Sequence, residues 1–225
     1  MRVASYNIQR GEGMDGKLNY PRTAGVLTGI NAEVVAVQEV DSMTHRTSNT
    51  YSLGAIADVM HYHATYAPTI NYDGGKYGIG ILSRQQPLRT SQYPLPGKDE
   101  ARTILVAEFA DYVFACTHLS LDEAERMQSL PIIEDIAKSY DKPFILAGDW
   151  NAHPDSPFVK ALQESFTICS SNSLSWPSDT PTECLDYIAV YKNSVRRVQS
   201  KNATVVDTQA SDHRPIYTDI KIRQR

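Results

Sequence analysis

Short apolar runs rich in β-branched residues recur along the chain and are separated by turn formers or by stretches of helical periodicity. Their length and composition predict β-strands. A further extended segment is predicted at residues 89–93, after the turn formers at 85–87. The strands are predicted at residues 2–8, 34–39, 63–67, 78–83, 102–109, 112–118, 144–147, 185–190 and 216–222.

Four stretches between these runs predict helices. The first follows Asn19, a good capping residue, and carries apolar side chains at every third position. The second covers residues 51–60; the third begins at the capping-box pattern of residues 120–123, with a break or kink expected at Pro131. The fourth begins at Ser156. Interleaved strands and helices predict two packed sheets flanked by helices, with parallel and antiparallel pairing both open.

Composition favours one globular domain spanning residues 1–225. The chain is 41% hydrophobic and 21% charged, and the charges are spread evenly, so disorder is not expected. The formal net charge is -4, and no long basic run is present. Nonspecific binding to nucleic acid depends on many phosphate contacts from Lys and Arg. The charge balance therefore argues mildly against a dedicated nucleic-acid binder.

The cysteines and the apolar segments do not identify the cellular compartment. Three cysteines give no complete disulfide framework, although a bridge between Cys169 and Cys184 stays open. No apolar segment has the length of a membrane span, and residues 2–6 predict a strand rather than a signal peptide. We therefore expect a soluble protein. Its compartment stays unknown: cytoplasmic, or exported if the chain is a trimmed mature form.

The most informative feature is a pair of polar runs, each next to an apolar stretch. Residues 147–154 read AGDWNAHP and follow an apolar run, whereas residues 211–215 read SDHRP and precede one. Side chains at a strand tip are held rigidly at the rim of a sheet, which suits a hydrolytic site. Turn formation alone would also explain either run. His45, His61, His63 and His153 are interpreted as structural or surface residues.

Further strand ends carry residues that suit phosphoester chemistry. Asn7 and Glu39 end two predicted strands and offer oxygen ligands for a hard cation such as Mg²⁺. His118 ends another strand. Asp186 lies inside an apolar strand, where an acid needs a partner, and His213 is the candidate because a carboxylate fixes an imidazole tautomer. Taken alone, each residue is more simply interpreted as an acid at a strand end or as a structural residue in a turn.

Taken together, these motifs resemble the endonuclease/exonuclease/phosphatase superfamily, which includes deoxyribonucleases, apurinic endonucleases, sphingomyelinases and inositol polyphosphate phosphatases. Each motif is short, but they occur in the family's order across nearly the whole chain. That is specific for the superfamily and poorly specific for a substrate. The motifs are Tyr6-Asn7, Gln38-Glu39, Arg102, Thr117-His118-Leu119, Gly148-Asp149-Trp150-Asn151, Leu185-Asp186-Tyr187-Ile188 and Ser211-Asp212-His213.

The resemblance implies an α+β fold: a four-layer α/β sandwich of two mainly antiparallel sheets packed face to face, with outer helices. It also implies hydrolysis of a phosphate ester with Mg²⁺, or alternatively Mn²⁺, as cofactor. The implied metal ligands are Glu39, assisted by Asn7, with Asp212 as an alternative ligand. The implied catalytic residues are Asp149, Asn151, His118, His213, Asp186 and Arg102.

The individual roles also follow from the resemblance. Asp149 would orient or deprotonate the attacking water, and Asn151 would contact the phosphate. Asp186 would polarise His213. His118 would stabilise developing charge or protonate the leaving oxygen, although acid and base roles of the two histidines stay open. Arg102 would anchor that region.

One departure from the family concerns His118. Deoxyribonucleases pair the equivalent histidine with a glutamate, but the corresponding residues 76–80 read KYGIG and contain no acid. Basic loops that follow a DNA groove are also not evident. We therefore favour a phosphatase or phosphodiesterase acting on a small or exposed phosphate ester. An endonuclease or exonuclease is the alternative, and a noncatalytic binding module of the same fold is the least favoured reading.

Overall fold

A computed structural model describes residues 1–192 and 196–224 of the chain. The strands in this part are β1 (Arg2–Asn7), β2 (Val34–Ser42), β3 (His63–Tyr72), β4 (Gly75–Ser83), β5 (Arg89–Leu95), β6 (Arg102–Glu108), β7 (Val113–His118), β8 (Phe144–Asp149), β9 (Phe166–Ile168), β10 (Asp186–Tyr191), β11 (Arg196–Val205) and β12 (Ile216–Gln224). The α-helices are α1 (Tyr20–Ile30), α2 (Ser52–Met60), α3 (Glu123–Lys138) and α4 (Pro157–Ser165).

The strands form two six-stranded sheets. The first has the order β11-β12-β1-β2-β4-β3, and the second has the order β5-β6-β7-β8-β10-β9. Each sheet contains one parallel pair, β1 with β2 and β7 with β8, and its other described pairings are antiparallel. The prediction of two mainly antiparallel sheets is therefore confirmed, and the open question of strand pairing is settled in favour of a mixture.

The core is divided into three apolar layers, which makes the fold a four-layer sandwich. Side chains from both sheets, such as Ile81 and Phe114, meet in the middle layer. The first sheet packs its other face against α1 and α2, where Leu27 is fully buried. The second sheet does the same with α3 and α4, through Ile133 and Phe158. Alternate residues of a strand point to opposite faces, so a strand in this arrangement is apolar on both sides.

The four predicted helices form, but α3 begins differently from the prediction. Its N-cap is Asp122, whose carboxylate accepts from the Glu125 amide at 3.0 Å, so the prediction of a cap at Ser120 is wrong by two residues. Ser120 instead accepts from the Asp122 amide and closes the turn before the helix. The expected break at Pro131 is also wrong, because α3 continues to Lys138. Core packing on both sides of the proline holds this helix together.

Strand β8 extends two residues beyond its prediction and includes Gly148 and Asp149. Gly148 is required by the close approach of β7: a Cβ at this position would lie 2.0 Å from the carbonyl oxygen of Thr117. No side chain fits that gap, so β7 and β8 can pair in parallel only around a glycine. This pairing sets His118 opposite Asp149.

Strands β9 and β11 are absent from the prediction. Both lie at sheet edges, where a strand needs no continuous apolar run. The bridge between Cys169 and Cys184 is not formed, and both cysteines are free and buried. Across the residues that the structure describes, no helix has the length and apolarity needed to cross a bilayer.

Candidate active site

The predicted site residues come together at one end of the sandwich. Asn7, His118 and Asp149 are the last residues of β1, β7 and β8. Asp186 begins β10 and lies opposite Asp149 in the antiparallel pairing with β8. The loop 211–215 contains His213 and precedes β12. Because β12 is antiparallel to β1, the start of β12 lies beside the end of β1, and the loop lies at the same edge. The two sheets therefore contribute polar side chains to the same cleft.

The cleft at this edge has a volume of about 460 Å³. Two larger surface clefts, of about 810 and 800 Å³, contain none of the predicted site residues, so size alone does not identify the site. The residues that line the smaller cleft are Glu39, Tyr77, Glu100, Arg102, His118, Leu121, Asp149, Asn151, His153, Trp176, Glu183, Leu185, Asp212 and His213.

Glu39 enters the cleft from a strained backbone position. It lies where the pairing of β2 with β4 shifts register, and its φ of 56° is in the left-handed region. A non-glycine residue in this region costs energy, and such strain is concentrated at functional sites. The bulge directs the carboxylate of Glu39 toward the amide of Asn7, whose Nδ2 atom donates to Glu39 Oε1 at 2.9 Å.

Asn7 joins two carboxylates. Its Nδ2 atom also donates to Asp149 Oδ2 at 3.1 Å, and its Oδ1 atom accepts from the Gln9 amide at 3.1 Å. The amide nitrogen therefore faces the acids, and coordination of a metal through Oδ1 requires the amide to turn over. Glu39 and Asp149 lie within hydrogen-bond reach of a single atom, so the half-buried carboxylate of Glu39 and the buried carboxylate of Asp149 are close together.

Burial makes both of these carboxylates reluctant to ionise. It raises the pKa of Glu39, opposed by the hydrogen bond from Asn7 and reinforced by the charge of Asp212. It also raises the pKa of Asp149, where the charge of Asp186 acts in the same direction and the nearby His213 opposes it. Desolvation disfavours a charged group unless an opposite charge compensates it. A divalent cation is therefore a chemically suitable partner for this pair.

His213 is held between two aspartates. Its Nδ1 atom lies 2.9 Å from Asp186 Oδ2, and the same oxygen accepts from Ser175 Oγ at 2.6 Å. Its Nε2 atom lies 3.6 Å from Asp149 Oδ2. Burial would lower the pKa of His213, but the charges of Asp186 and Asp149 raise it overall. The sequence prediction that Asp186 partners His213 matches this geometry.

His118 has the opposite character. Its Nε2 atom lies 3.5 Å from Asp149 Oδ2. Burial lowers the pKa of His118 well below its ordinary value, and the positive charges of Arg102 and His213 lower it further. The surroundings therefore favour the neutral imidazole at His118 and the imidazolium form at His213. The two histidines of one cleft thus have pKa values shifted in opposite directions.

The remaining predicted residues also lie at the cleft. Asn151 donates its backbone amide to Asp149 Oδ1 at 2.9 Å and its Nδ2 atom to the carbonyl of Leu119, so one side-chain N–H is left for a ligand. Arg102 is buried and its Nη1 atom lies 3.0 Å from Glu100 Oε1. Asp212 lines the cleft next to His213 in sequence.

Two groups of residues are candidates for a metal. Ligand atoms of Asp149, Asp186 and His213 lie within 4.8 Å of one another. In this group, however, Asp186 Oδ2 and His213 Nδ1 already bond to each other. The carboxylates of Glu39 and Asp212, with the amide oxygen of Asn7, form the better set for Mg²⁺, because hard divalent cations take oxygen ligands. The raised pKa of Glu39 supports this choice.

Sequence reasoning missed several residues that line the cleft. Glu100, from the loop before β6, is an acid at the cleft that pairs with Arg102. His153, interpreted from sequence as a structural or surface residue, lines the cleft with Trp176 and Glu183. Position in the motif run 147–154 was the available signal for His153. Local sequence carries no comparable signal for the other three.

Comparisons with known proteins agree with this geometry. The family model described as "Endonuclease/Exonuclease/phosphatase family" matches residues 4–213. No curated protein sequence matches significantly.

Solved structures with the same fold include an endonuclease/exonuclease/phosphatase from Beutenbergia cavernae (20% identity, TM-score 0.77, 99% of this chain and 71% of that one). A functionally unknown conserved protein from Enterococcus faecalis has 16% identity and a TM-score of 0.81 over 99% of this chain and 100% of that one. A mannosyl-6-phosphatase from Bacteroides thetaiotaomicron has 16% identity and a TM-score of 0.78 over 98% and 99%.

Proposed function

Because the chain belongs to the endonuclease/exonuclease/phosphatase family, we propose that it is a divalent-metal-dependent hydrolase of phosphate esters, acting as a phosphatase or phosphodiesterase. The observation that carries this proposal is the convergence of Glu39, Asp149 and His213, which come from three separate parts of the chain, on one cleft. Hydrolysis of a phosphate ester requires an oriented water, neutralised phosphate oxygens and a protonated leaving group. The cleft offers groups suited to each task.

Glu39 and Asp212 would hold the cation, with Asn7 assisting through its oxygen once the amide turns. Mg²⁺ is the proposed ion and Mn²⁺ the alternative, since both accept carboxylate oxygens. When bound, such a cation supplies Lewis-acid neutralisation of charge on the phosphate oxygens. Glu39 and Asp212 both line the cleft, and the charge of Asp212 contributes to the raised pKa of Glu39, which supports this assignment.

Asp149 is the proposed base for water. Its raised pKa makes it a better proton acceptor near neutral pH than an ordinary carboxylate. The oxygen of the water forms a bond to phosphorus, the ester P–O bond breaks, and the proton of the water passes to Asp149. The proton on Asp149 is then relayed through His118, whose Nε2 atom lies 3.5 Å from Asp149 Oδ2, to the leaving alkoxide, which becomes the alcohol.

His213 and Asn151 are proposed to bind the phosphate oxygens. Asp186 fixes the His213 ring through Nδ1 at 2.9 Å, so the positively charged Nε2–H side is directed toward Asp149 and the cleft. A positioned cation in a desolvated cleft stabilises charge as it develops in the transition state. His118 is neutral and close to Arg102, which suits a group that relays a proton near the leaving oxygen.

Small phosphate esters are favoured over nucleic acid. The cleft is small, and carboxylates outnumber the single arginine in its lining. A nuclease gains affinity from many phosphate contacts with Lys and Arg. A neighbour of the same fold is named a mannosyl-6-phosphatase, which agrees with activity on a small ester. Endonuclease activity is the alternative function.

The proposal is tested with protein stripped of metal by EDTA and supplied again with Mg²⁺ or Mn²⁺. We expect metal-dependent turnover of an aryl phosphate or of a bis-aryl phosphate diester. A panel of sugar phosphates, inositol phosphates, lipid headgroup esters and nucleic acids then narrows the substrate class. No turnover of any ester with either metal would contradict the proposal, and rapid nicking of supercoiled plasmid would favour the endonuclease.

The metal assignment has its own test. Glu39→Gln should raise the Mg²⁺ concentration needed for half-maximal activity about tenfold or more, because a charged ligand is lost. Glu164→Gln, which changes an exposed glutamate far from the cleft, is the matched control. Wild-type metal dependence in Glu39→Gln would remove this residue from the ligand set.

A further inference from the structure

The rim of the cleft beside His213 carries three side chains that the proposed hydrolysis does not use: His153, Trp176 and Glu183. The Trp176 ring centre lies 6.4 Å from the His213 ring centre. Glu183 Oε2 lies 3.5 Å from His153 Nε2. An apolar aromatic face next to an acceptor and a second polar group can bind the face of a ring together with its hydroxyl groups.

The loop that carries this rim is rigid. Trp176 and Glu183 exchange backbone hydrogen bonds at 3.1 and 2.8 Å. Ser175 is fully buried and donates to the aspartate that holds the catalytic histidine, at 2.6 Å. Ser178 is also fully buried and bonds to two carbonyl oxygens of the loop 211–215. These bonds fix the rim relative to the reaction centre, which reduces the entropy lost when a ligand binds.

Charge at the cleft selects against a second anion. The lining contains five carboxylates and one guanidinium, and Glu100 pairs with that guanidinium. A bound cation and His213 can compensate the single phosphate at the reaction centre. A second phosphate placed at Glu183 would meet a carboxylate instead, at a cost that rises with desolvation. The group beyond the reacting phosphate is therefore expected to be uncharged.

We propose that Trp176, His153 and Glu183 form a subsite for an uncharged, polyhydroxylated leaving group, such as a sugar ring. This inference rests on the proposed phosphoester hydrolysis and names the class of alcohol released. The ring stacks its C–H face on Trp176, and its hydroxyl groups bond to Glu183 and His153. The separation of Trp176 from His213 places that ring directly next to the scissile ester bond.

The test compares glucose 6-phosphate with ethyl phosphate, which has the same kind of leaving oxygen but neither ring nor hydroxyl groups. Trp176→Ala and Glu183→Gln should each lower kcat/KM for glucose 6-phosphate about tenfold, mainly through KM. The same variants should change ethyl phosphate turnover less than about threefold. Leu174→Ala is the control, because Leu174 is exposed on the same part of the chain and does not line the cleft.

Three kinetic outcomes would overturn the subsite. Equal losses on both esters would show that the residues only maintain the fold of the loop, and a wild-type enzyme with no preference for glucose 6-phosphate over ethyl phosphate would show that no ring is bound. If Trp176→Ala lowers kcat/KM more for a nucleoside monophosphate than for glucose 6-phosphate, the subsite binds a nucleobase rather than a sugar ring, and the proposal is contradicted.

A binding measurement separates the subsite from the chemistry. Trp176 is partly exposed and Trp150 is fully buried, so fluorescence quenching by glucose 6-phosphate with Mg²⁺ reports Trp176. Trp176→Phe should abolish the quenching. If wild-type protein hydrolyses no ester but shows this quenching, the proposed function fails and the subsite stands. If it hydrolyses esters without quenching, the subsite fails alone.

Discussion

Two buried polar clusters of this protein differ in how well their charges are compensated. In the first, Asp41 accepts from Arg46 through both carboxylate oxygens, at 2.6 and 2.7 Å, and from Thr44 at 2.6 Å. In the second, Asp149 and Asp186 flank the single imidazole of His213. Among the residues that the structure describes, Asp186 Oδ1 has no hydrogen-bond partner.

The difference separates a structural acid from the acid proposed as the catalytic base. Arg46 also lies over the Tyr72 ring, 4.4 Å from its centre, and the Asp41–Arg46 pair closes the turn after β2. A carboxylate whose two oxygens are both paired with one guanidinium contributes stability and has little capacity for a substrate. Asp149 accepts from two neutral amides, those of Asn7 and Asn151, and its charge is not paired with a guanidinium, so it retains that capacity. Substitutions in the two clusters should therefore affect different properties.

The largest effect is expected for Asp149→Asn. The proposed base and the anion beside His213 are lost together, so kcat should fall about 10³-fold. The free energy of unfolding should change by less than about 1 kcal/mol, because the buried negative charge was already unfavourable. Steady-state kinetics and urea unfolding measure the two effects.

Asp155→Asn is the control for Asp149→Asn, since it changes an exposed aspartate nearby in the chain. Turnover of Asp149→Asn within about threefold of wild type would remove the distinction between the two clusters.

Asp186→Asn should reduce kcat about 10²-fold. The His213 ring keeps a hydrogen-bonding neighbour but loses the negative charge that raises its pKa. Ser175→Ala removes the hydroxyl that donates to Asp186 and accepts a long bond from the Leu185 amide, but it leaves the Asp186 charge in place, so it should have a smaller effect on kcat. A greater loss of kcat in Ser175→Ala than in Asp186→Asn would contradict the role assigned to the Asp186 charge.

Asp41→Asn should lower the free energy of unfolding by about 2 kcal/mol, because Arg46 loses its partner but remains partly exposed to water. At a temperature where the variant is folded, kcat/KM should stay within about threefold of wild type. Asp58→Asn, at an exposed position of α2, is the control for unfolding. A 10²-fold loss of activity in folded Asp41→Asn would make this cluster part of the catalytic machinery.

The smallest effect is expected at the surface pair of Arg2 with Asp219. This pair is the solvent-screened reference against which the two buried clusters are compared. The hydrogen bond from Arg2 lowers the pKa of Asp219 from 3.8 to about 2. The pair therefore stabilises the folded state above pH 3.8, and this contribution is lost as the pH falls toward 2. Water screens the pair, so Asp219→Asn should cost less than about 1 kcal/mol at pH 6. The difference in free energy of unfolding between wild type and Asp219→Asn, measured by urea unfolding, should be smaller at pH 3 than at pH 6. An equal difference at the two pH values would contradict the stabilising role of the ionised Asp219.

Sequence predicted the strands and the motif residues well because both depend on local patterns. Apolar runs in the sequence indicate strands that are buried on both faces. The topology of the sheets then brings the ends of these strands together. Asn7, Glu39, His118, Asp149 and the pair Asp186–His213 were all found in this way. Four of them line one cleft, and Asn7 and Asp186 bond to residues of that lining.

The sequence could not reveal features that depend on tertiary contacts. The bulge that turns Glu39 into the cleft arises from the pairing of β2 with β4. Trp176 and Glu183 come together only through the backbone hydrogen bonds of their loop. Edge strands such as β11 are stabilised by their neighbour rather than by an apolar run. The pairing of Arg46 with Asp41 likewise depends on the folded turn after β2.

The pairing of β1 with β12 joins residues near the two ends of the sequence, and Asn7 and His213 lie beside that seam. During synthesis, the cleft therefore stays incomplete until residue 213 and the strand after it have left the ribosome. Mechanical force that peels β12 away from β1 would likewise disrupt the cleft while the second sheet is still intact.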